Sequence, residues 1–232
     1  MKHEIVTSEQ WLLARKALLE KEKEFTRLRE ELAQARRALP WERVQGSYMF
    51  DGPGGEQTLA ELFAGRSQLV VYHFMFKPEA EAGCNGCSFW ADSFDHIGPH
   101  LAARDVTFLA VSRAPLGRLL AFRERMGWSF DWVSSSRNSF NFDYRVSFGP
   151  DDDPTSYNYG LTKGGADMPG VSVFFKNERG ELFHTYSCFS RGIDMLNTAY
   201  HYLDLVPKGR AEAGLAHSMS WVKHRDQYGK VA

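Results

Sequence analysis

Residues 68–76, QLVVYHFMF, and residues 83–89, GCNGCSF, are separated by one short loop. The first stretch is almost wholly apolar and rich in Val, Tyr and Phe. It predicts a strand buried on both faces, the habit of a parallel or mixed central sheet. The second opens a segment, 88–103, in which Phe89, Trp90, Phe94, Ile97 and Leu101 recur at helical spacing. Cys84 and Cys87 therefore stand just after a buried strand and just before a helix. Unpaired N–H groups at a helix N-terminus stabilise an anion, so they lower a thiol's pKa and favour the nucleophilic thiolate. Two intervening residues let the second sulfur reach the first. A single C-x-x-C beside a βαβ pattern is a redox signal.

Working outward, 106–111 reads as another buried strand, and Pro115 can open a helix that reaches Met126 and stops at Gly127. A short strand is expected at 131–133, and 134–168, rich in Ser, Asn, Asp and Gly, is the least regular stretch. Residues 171–176 and 181–188 read as a hairpin around Asn177-Glu178-Arg179-Gly180, and 192–205 as a closing helix ended by Pro207. On the N-terminal side, 43–50 looks like a strand, 51–55 is a turn cluster and 58–63 is a short helix. This alternation predicts an α/β layer arrangement.

Residues 8–39 read as one long helix that Ser8 can cap, with Trp11, Leu18, Phe25, Leu32 and Leu39 recurring every seven residues. Ala14, Leu28 and Ala35 form a weaker second seam broken by Lys21. The stripe fits either packing on its own domain or a homodimer formed through this helix. The expected organisation is an N-terminal helical extension (1–40), a central domain (41–206) and a C-terminal tail (207–232) that looks peripheral.

Composition narrows the function classes. With 232 residues, 43% hydrophobic and 25% charged, the chain is an ordinary globular protein and not a disordered one. A net charge of −1 gives no electrostatic reason to expect nucleic acid or an anionic membrane as partner. No apolar run approaches a membrane span, and Met1-Lys2-His3-Glu4 leads into no signal-peptide core, so a cytoplasmic address is expected. Three cysteines are too few for a disulfide scaffold. No phosphate loop or dinucleotide fingerprint occurs, and no cofactor is expected.

Alternatives remain at several residues. Cys84 and Cys87 could be half of a zinc site completed by His184 and Cys188, which are four apart and could face one way on a strand. Cys188 equally fits a buried small hydrophobe. Arg113 lies at the end of the strand 106–111, where open α/β sheets place ligands; it fits an anionic substrate or a salt bridge. Trp128, Phe130, Trp132, Tyr157 and Tyr159 fit core or a pocket wall. Asp151-Asp152-Asp153 reads as a solvated loop.

The strand–Cys-x-x-Cys–helix unit followed by a late hairpin and helix resembles the thioredoxin superfamily. More closely, YHFMF (72–76), GCNGCSF (83–89), VSRAP (111–115), MGWSFDWVSS (126–135) and YLDLVPKGR (202–210) resemble a bacterial thioredoxin-like family catalogued as a domain of unknown function. The resemblance implies a central mixed sheet flanked by helices, with Cys84 as the exposed attacking thiol and Cys87 as the buried resolving one. It also implies a cis proline facing the dithiol, for which Pro169, after Met168, is the candidate, with the Met168 backbone offered to substrate. It places His73 where thioredoxins keep a buried acid, so His73 could take the proton from Cys87 or be a core histidine. Two departures matter. The intervening Asn85-Gly86 replaces Gly-Pro, and Glu81 stands where peroxiredoxins carry the Thr that orients a peroxide.

The function expected is thiol–disulfide exchange on a protein or small-molecule disulfide, at a potential nearer the ~−270 mV of thioredoxin than the ~−120 mV of the oxidant end, because no His lies between the cysteines. A binding module without turnover, a zinc protein and a thiol peroxidase are the alternatives.

Overall fold

The computed structural model describes residues 3–161 and 163–229. The chain forms two compact units, Met1–Pro40 and Trp41–Ala232. The first is a single helix, α1 (Ser8–Arg37), capped by Thr7 rather than Ser8. The Thr7 hydroxyl accepts from the Gln10 N–H while the Gln10 side chain accepts from the Thr7 N–H, a reciprocal pair that satisfies two end donors. None of its residues is buried, and Trp11, Leu18, Phe25, Leu28 and Leu32 are all exposed.

The second unit is built on β1 (Glu42–Arg43), β2 (Met49–Gly52), β3 (Gly55–Thr58), β4 (Gln68–His73), α2 (Asn85–Phe94), α3 (Gly98–Ala102), β5 (Val106–Ser112), α4 (Leu116–Met126), β6 (Asp131–Ser134), α5 (Phe140–Asp143), β7 (Gly170–Lys176), β8 (Leu182–Phe189) and α6 (Thr198–Leu203). The strands form one sheet in the order β1-β8-β7-β4-β5-β6-β2-β3, with β4, β5 and β6 parallel and β7 antiparallel to β4. This is the mixed α/β sheet flanked by helices that the sequence predicts.

Alternation along the central strands divides two packed faces. Tyr72 and Phe74, Ala110 and Trp132 join one cluster with Trp90, Ala91 and Phe94 of α2 and Leu119 and Phe122 of α4. Leu69 and Val71, Leu109 and Val111, and Val133 join the other, with Phe63, Phe140 and Phe174. Both faces of β4 are buried, as its near-continuous apolar sequence requires.

Several elements differ from expectation. The segment read as one strand, 43–50, is two, because β1 pairs with β8 at one edge of the sheet while β2 pairs with β3 and β6 at the other. The helix read across 88–103 breaks after Phe94: Asp95 is extended, His96 has φ 69°, and α3 starts at Gly98 with Pro99 in its first turn. The helix read across 192–205 is a 3₁₀ segment (Ser190–Leu196) followed by α6. Helix α4 does end at Gly127, whose φ of 64° suits a residue with no Cβ.

The tail is not peripheral. Val222 and His224 are buried, at 5% and 4% exposure. Among the described residues, no helix is long and apolar enough to cross a membrane.

Candidate functional site

The site forms where β4 ends and α2 begins. Cys84 is the N-cap residue of α2, and its extended backbone turns the chain into the helix. Its N–H donates to the Met75 carbonyl at 3.1 Å, and the Met75 N–H donates to Cys87 Sγ at 3.4 Å. The exit of β4 thus grips both cysteines. Gly83 has to lack a side chain, since a Cβ there would lie 2.6 Å from the Phe74 ring and 2.9 Å from that of Phe122.

The two sulfurs sit in unlike surroundings. Cys84 is partly exposed and Cys87 is 2% exposed. A hydrogen bond from the Cys87 thiol, helped by the N–H groups of Cys87 and Gly86 in the first turn of α2, lowers the Cys84 thiol to about 6 against the opposing effect of burial. Burial first, and then the neighbouring Cys84, pushes the Cys87 thiol well above its ordinary value. Near neutral pH the outer sulfur is an anion and the inner one carries the proton.

Tyr72 is the residue that sequence reading missed. Its hydroxyl donates to the Cys87 carbonyl at 3.5 Å and, standing beside the thiol, favours the ionised form of Cys87. The signal was strand parity, for Tyr72 lies on the same face of β4 as Phe74, the face that packs on α2. His73 lies on the opposite face. Its Nε2 bonds Ser172 Oγ at 2.8 Å, its ring stacks on Phe140 at 5.6 Å, and burial drives its pKa down to about 3. His73 points inward, as expected, but inward on the side away from Cys87.

The other expected site residues divide. Pro169 lines the cavity beside Cys84. The cis bond expected before it is corrected: the described residues contain no cis peptide. Trans is the lower-energy state, and the flanking groups are satisfied in it, with the Met168 N–H on the Val146 carbonyl at 2.7 Å and the Tyr157 hydroxyl on the Pro169 carbonyl at 2.8 Å. The Met168 side chain packs with Val146 and Phe148 instead of lining that cavity. Arg113 is taken up by Asp167 at 3.0 Å, the Ala166 carbonyl at 3.2 Å and the Phe142 ring, so it is a structural ion pair.

His184 and Cys188 do not face one way. A β-bulge between the pairs Val173–Tyr186 and Phe174–His184 shifts the strand's parity, leaving His184 against Phe174 and Cys188 in the cluster with Cys87. Among the described residues no group of three or more His, Cys, Asp or Glu is placed to hold a metal ion.

A cavity of about 490 Å³ opens beside Cys84. Tyr72, Trp90 and Ile193 form its inner wall, and Met219 and Val222 of the C-terminal segment form its outer one.

The buried mixed sheet, with a cysteine capping the helix that follows its central strand, has a thioredoxin-like fold. Solved structures to which this chain is similar include peroxiredoxin Q of Xanthomonas campestris, at 15% identity and a TM-score of 0.50, covering 72% of this chain and 97% of that one. Others are peroxidoxin BcpB of Mycobacterium tuberculosis (15% identity, TM-score 0.46, 68% and 93% covered) and a chain of Chlorobium tepidum described as a thiol:disulfide interchange protein DsbE (13%, 0.41, 71% and 95%). Among curated proteins, no sequence match is found. The chain belongs to the family of bacterial proteins of unknown function DUF899, which matches residues 1–228.

Proposed function

We propose that this protein is a thiol–disulfide oxidoreductase in which Cys84 attacks and Cys87 resolves. The observation that carries the reading is the asymmetry of the pair, a partly exposed low-pKa thiol at a helix N-terminus beside a buried high-pKa thiol. The Cys84 thiolate attacks one sulfur of a substrate disulfide, forming a mixed disulfide and releasing the first thiolate. Once Cys84 is no longer an anion, one cause of the high Cys87 pKa disappears. The Met75 N–H and the Tyr72 hydroxyl then favour the Cys87 thiolate. Cys87 loses its proton, attacks Cys84 Sγ and expels the second substrate thiolate. Substrate is reduced by two electrons and the enzyme dithiol becomes a disulfide.

Too few cysteines for a disulfide scaffold suit a reducing, cytoplasmic setting for this chemistry. The peroxidase alternative takes its support from fold likeness, and Glu81, three residues before Cys84, is an exposed carboxylate with no hydroxyl to orient a peroxide. The test is alkylation trapping after equilibration in glutathione buffers. A Cys84–Cys87 disulfide titrating as a two-electron couple is expected; its absence at every potential rules the reading out.

A further inference from the structure

The surroundings of Cys84 are occupied by the chain's own C-terminal segment, residues 211–228. His224 Nε2 donates to the Gly83 carbonyl at 2.8 Å, and Asn85 Nδ2 donates to the Val222 carbonyl at 3.2 Å. The Met219 side chain lies over Gly86, where an added Cβ would meet its Cε at 3.2 Å. The residue before Cys84 and the two after it are thus covered by this strap, which takes the Gly83 carbonyl and the Asn85 side chain and stands where a partner protein's extended chain would lie beside the cysteine.

The strap is firmly tied. The Glu212 carboxylate accepts from the Tyr200 hydroxyl at 2.7 Å, Trp221 Nε1 at 2.8 Å and the Met219 N–H at 3.0 Å. Further along, Arg125 pairs with Asp226 through two contacts of 2.7 and 3.0 Å, and Arg225 reaches Asp92 at 3.2 Å. What stays open to the sulfur is the cavity of about 490 Å³, a size suited to a small organic molecule. Its walls are mostly apolar; of the charged side chains on them, Asp194 and Arg191 neutralise each other at 2.7 Å, Arg210 reaches Asp194 at 3.3 Å, and His217 lies with Ser218 and Ser220 along the strap.

We infer that the substrate of this dithiol is an uncharged, low-molecular-weight disulfide with an apolar body that enters the cavity beneath the strap. The inference rests on the exchange chemistry proposed above. Cys84 attacks one sulfur and the first organic thiolate leaves, to be protonated by solvent. Cys87 then displaces the second, and a soluble dithiol reductant returns the enzyme disulfide to the dithiol.

The test measures reduction of 2,2′-dithiodipyridine, oxidised glutathione and insulin by the full-length protein with dithiothreitol, each rate taken relative to dithiothreitol alone. The enhancement for the neutral aromatic disulfide should saturate and exceed those for the charged tripeptide and the protein by about tenfold, the scale of a few apolar contacts. Glu212→Ala, and the milder Trp221→Phe, should raise KM for the aromatic disulfide and raise the insulin rate. An insulin enhancement in the wild-type protein equal to or above that for the aromatic disulfide overturns the inference while leaving the exchange reading intact. A Cys84→Ser protein as active as wild type on all three substrates removes the exchange reading itself.

Discussion

The two faces of the central sheet are both buried and both carry polar groups, yet they set those groups among different neighbours. On the α2 face, Cys87 and Tyr72 sit beside a cysteine that reaches a cavity. On the other face, His73 Nε2, Ser172 Oγ, Ser187 Oγ and His184 Nε2 form a chain of bonds at 2.8, 2.8 and 2.7 Å across β4, β7 and β8. Beyond it, His184 Nδ1 lies 3.4 Å from the Glu42 carboxylate at the sheet edge. Among the described residues His73 Nδ1 has no partner, so the least costly arrangement leaves it without a proton, with Nε2 donating into the chain. Burial on one face meets a helix N-terminus and produces a nucleophile. On the other it meets hydroxyls and rings, and holds the pKa of His73 low. Burial perturbs a group; what lies beside it decides whether the perturbation does anything.

The comparison can be broken most severely at the outer sulfur. Cys84→Ser should lower disulfide reduction by about 10³-fold or more, since no other exposed thiol replaces it. Cys87→Ser should still form the mixed disulfide and then stall, which mass spectrometry of the trapped adduct checks.

The His73 face should show a stability effect and no kinetic one. His73 has a folded pKa of about 3, below its unfolded value, so its contribution is fully present above the unfolded pKa of 6.5 and is lost as pH falls from there toward 3. Denaturant midpoints should decline over that window, by at most about 1.4 kcal/mol per pH unit from this group. A folded His73→Gln protein should show a shallower decline, with the pH profile of the resolution step unchanged. A resolution step that loses a titration in His73→Gln would return His73 to the site.

Gly83 tests how tightly the reactive face is built. Gly83→Ala forces a methyl against Phe74 and Phe122 and should cost about 1–3 kcal/mol in chemical denaturation. The smallest effect is expected at Tyr72. Tyr72→Phe removes the hydroxyl that favours the resolving thiolate, an effect on the scale of one hydrogen bond or about 1 kcal/mol, so stopped-flow resolution should slow by roughly fivefold while initial attack stays unchanged.

Much of this was legible in the residues. The apolar run 68–76 and the hairpin cues around Asn177-Glu178-Arg179-Gly180 fixed the centre of the sheet, because burial on both faces and a glycine-bearing turn leave local marks. The position of Cys84 at a helix start was equally local. The split of 43–50 was not, since its halves pair at opposite edges of the sheet and nothing within eight residues records that. His73 was misplaced for a related reason: in a sheet covered on both sides, pointing inward names two places. The strap was hidden because its anchors, Glu212, Val222 and His224, are single side chains with no periodicity, set among exposed charged neighbours.

The central claim is the asymmetry of the two thiols, and alkylation read by peptide mass spectrometry across pH tests it most directly. The reduced protein is treated with iodoacetamide from pH 4 to 9. Cys84 should be modified with a rate that rises through a midpoint of about 6, while Cys87 stays unmodified throughout. A Cys84 midpoint near the ordinary thiol value of ~8.5, or Cys87 reacting alongside it, would contradict the account.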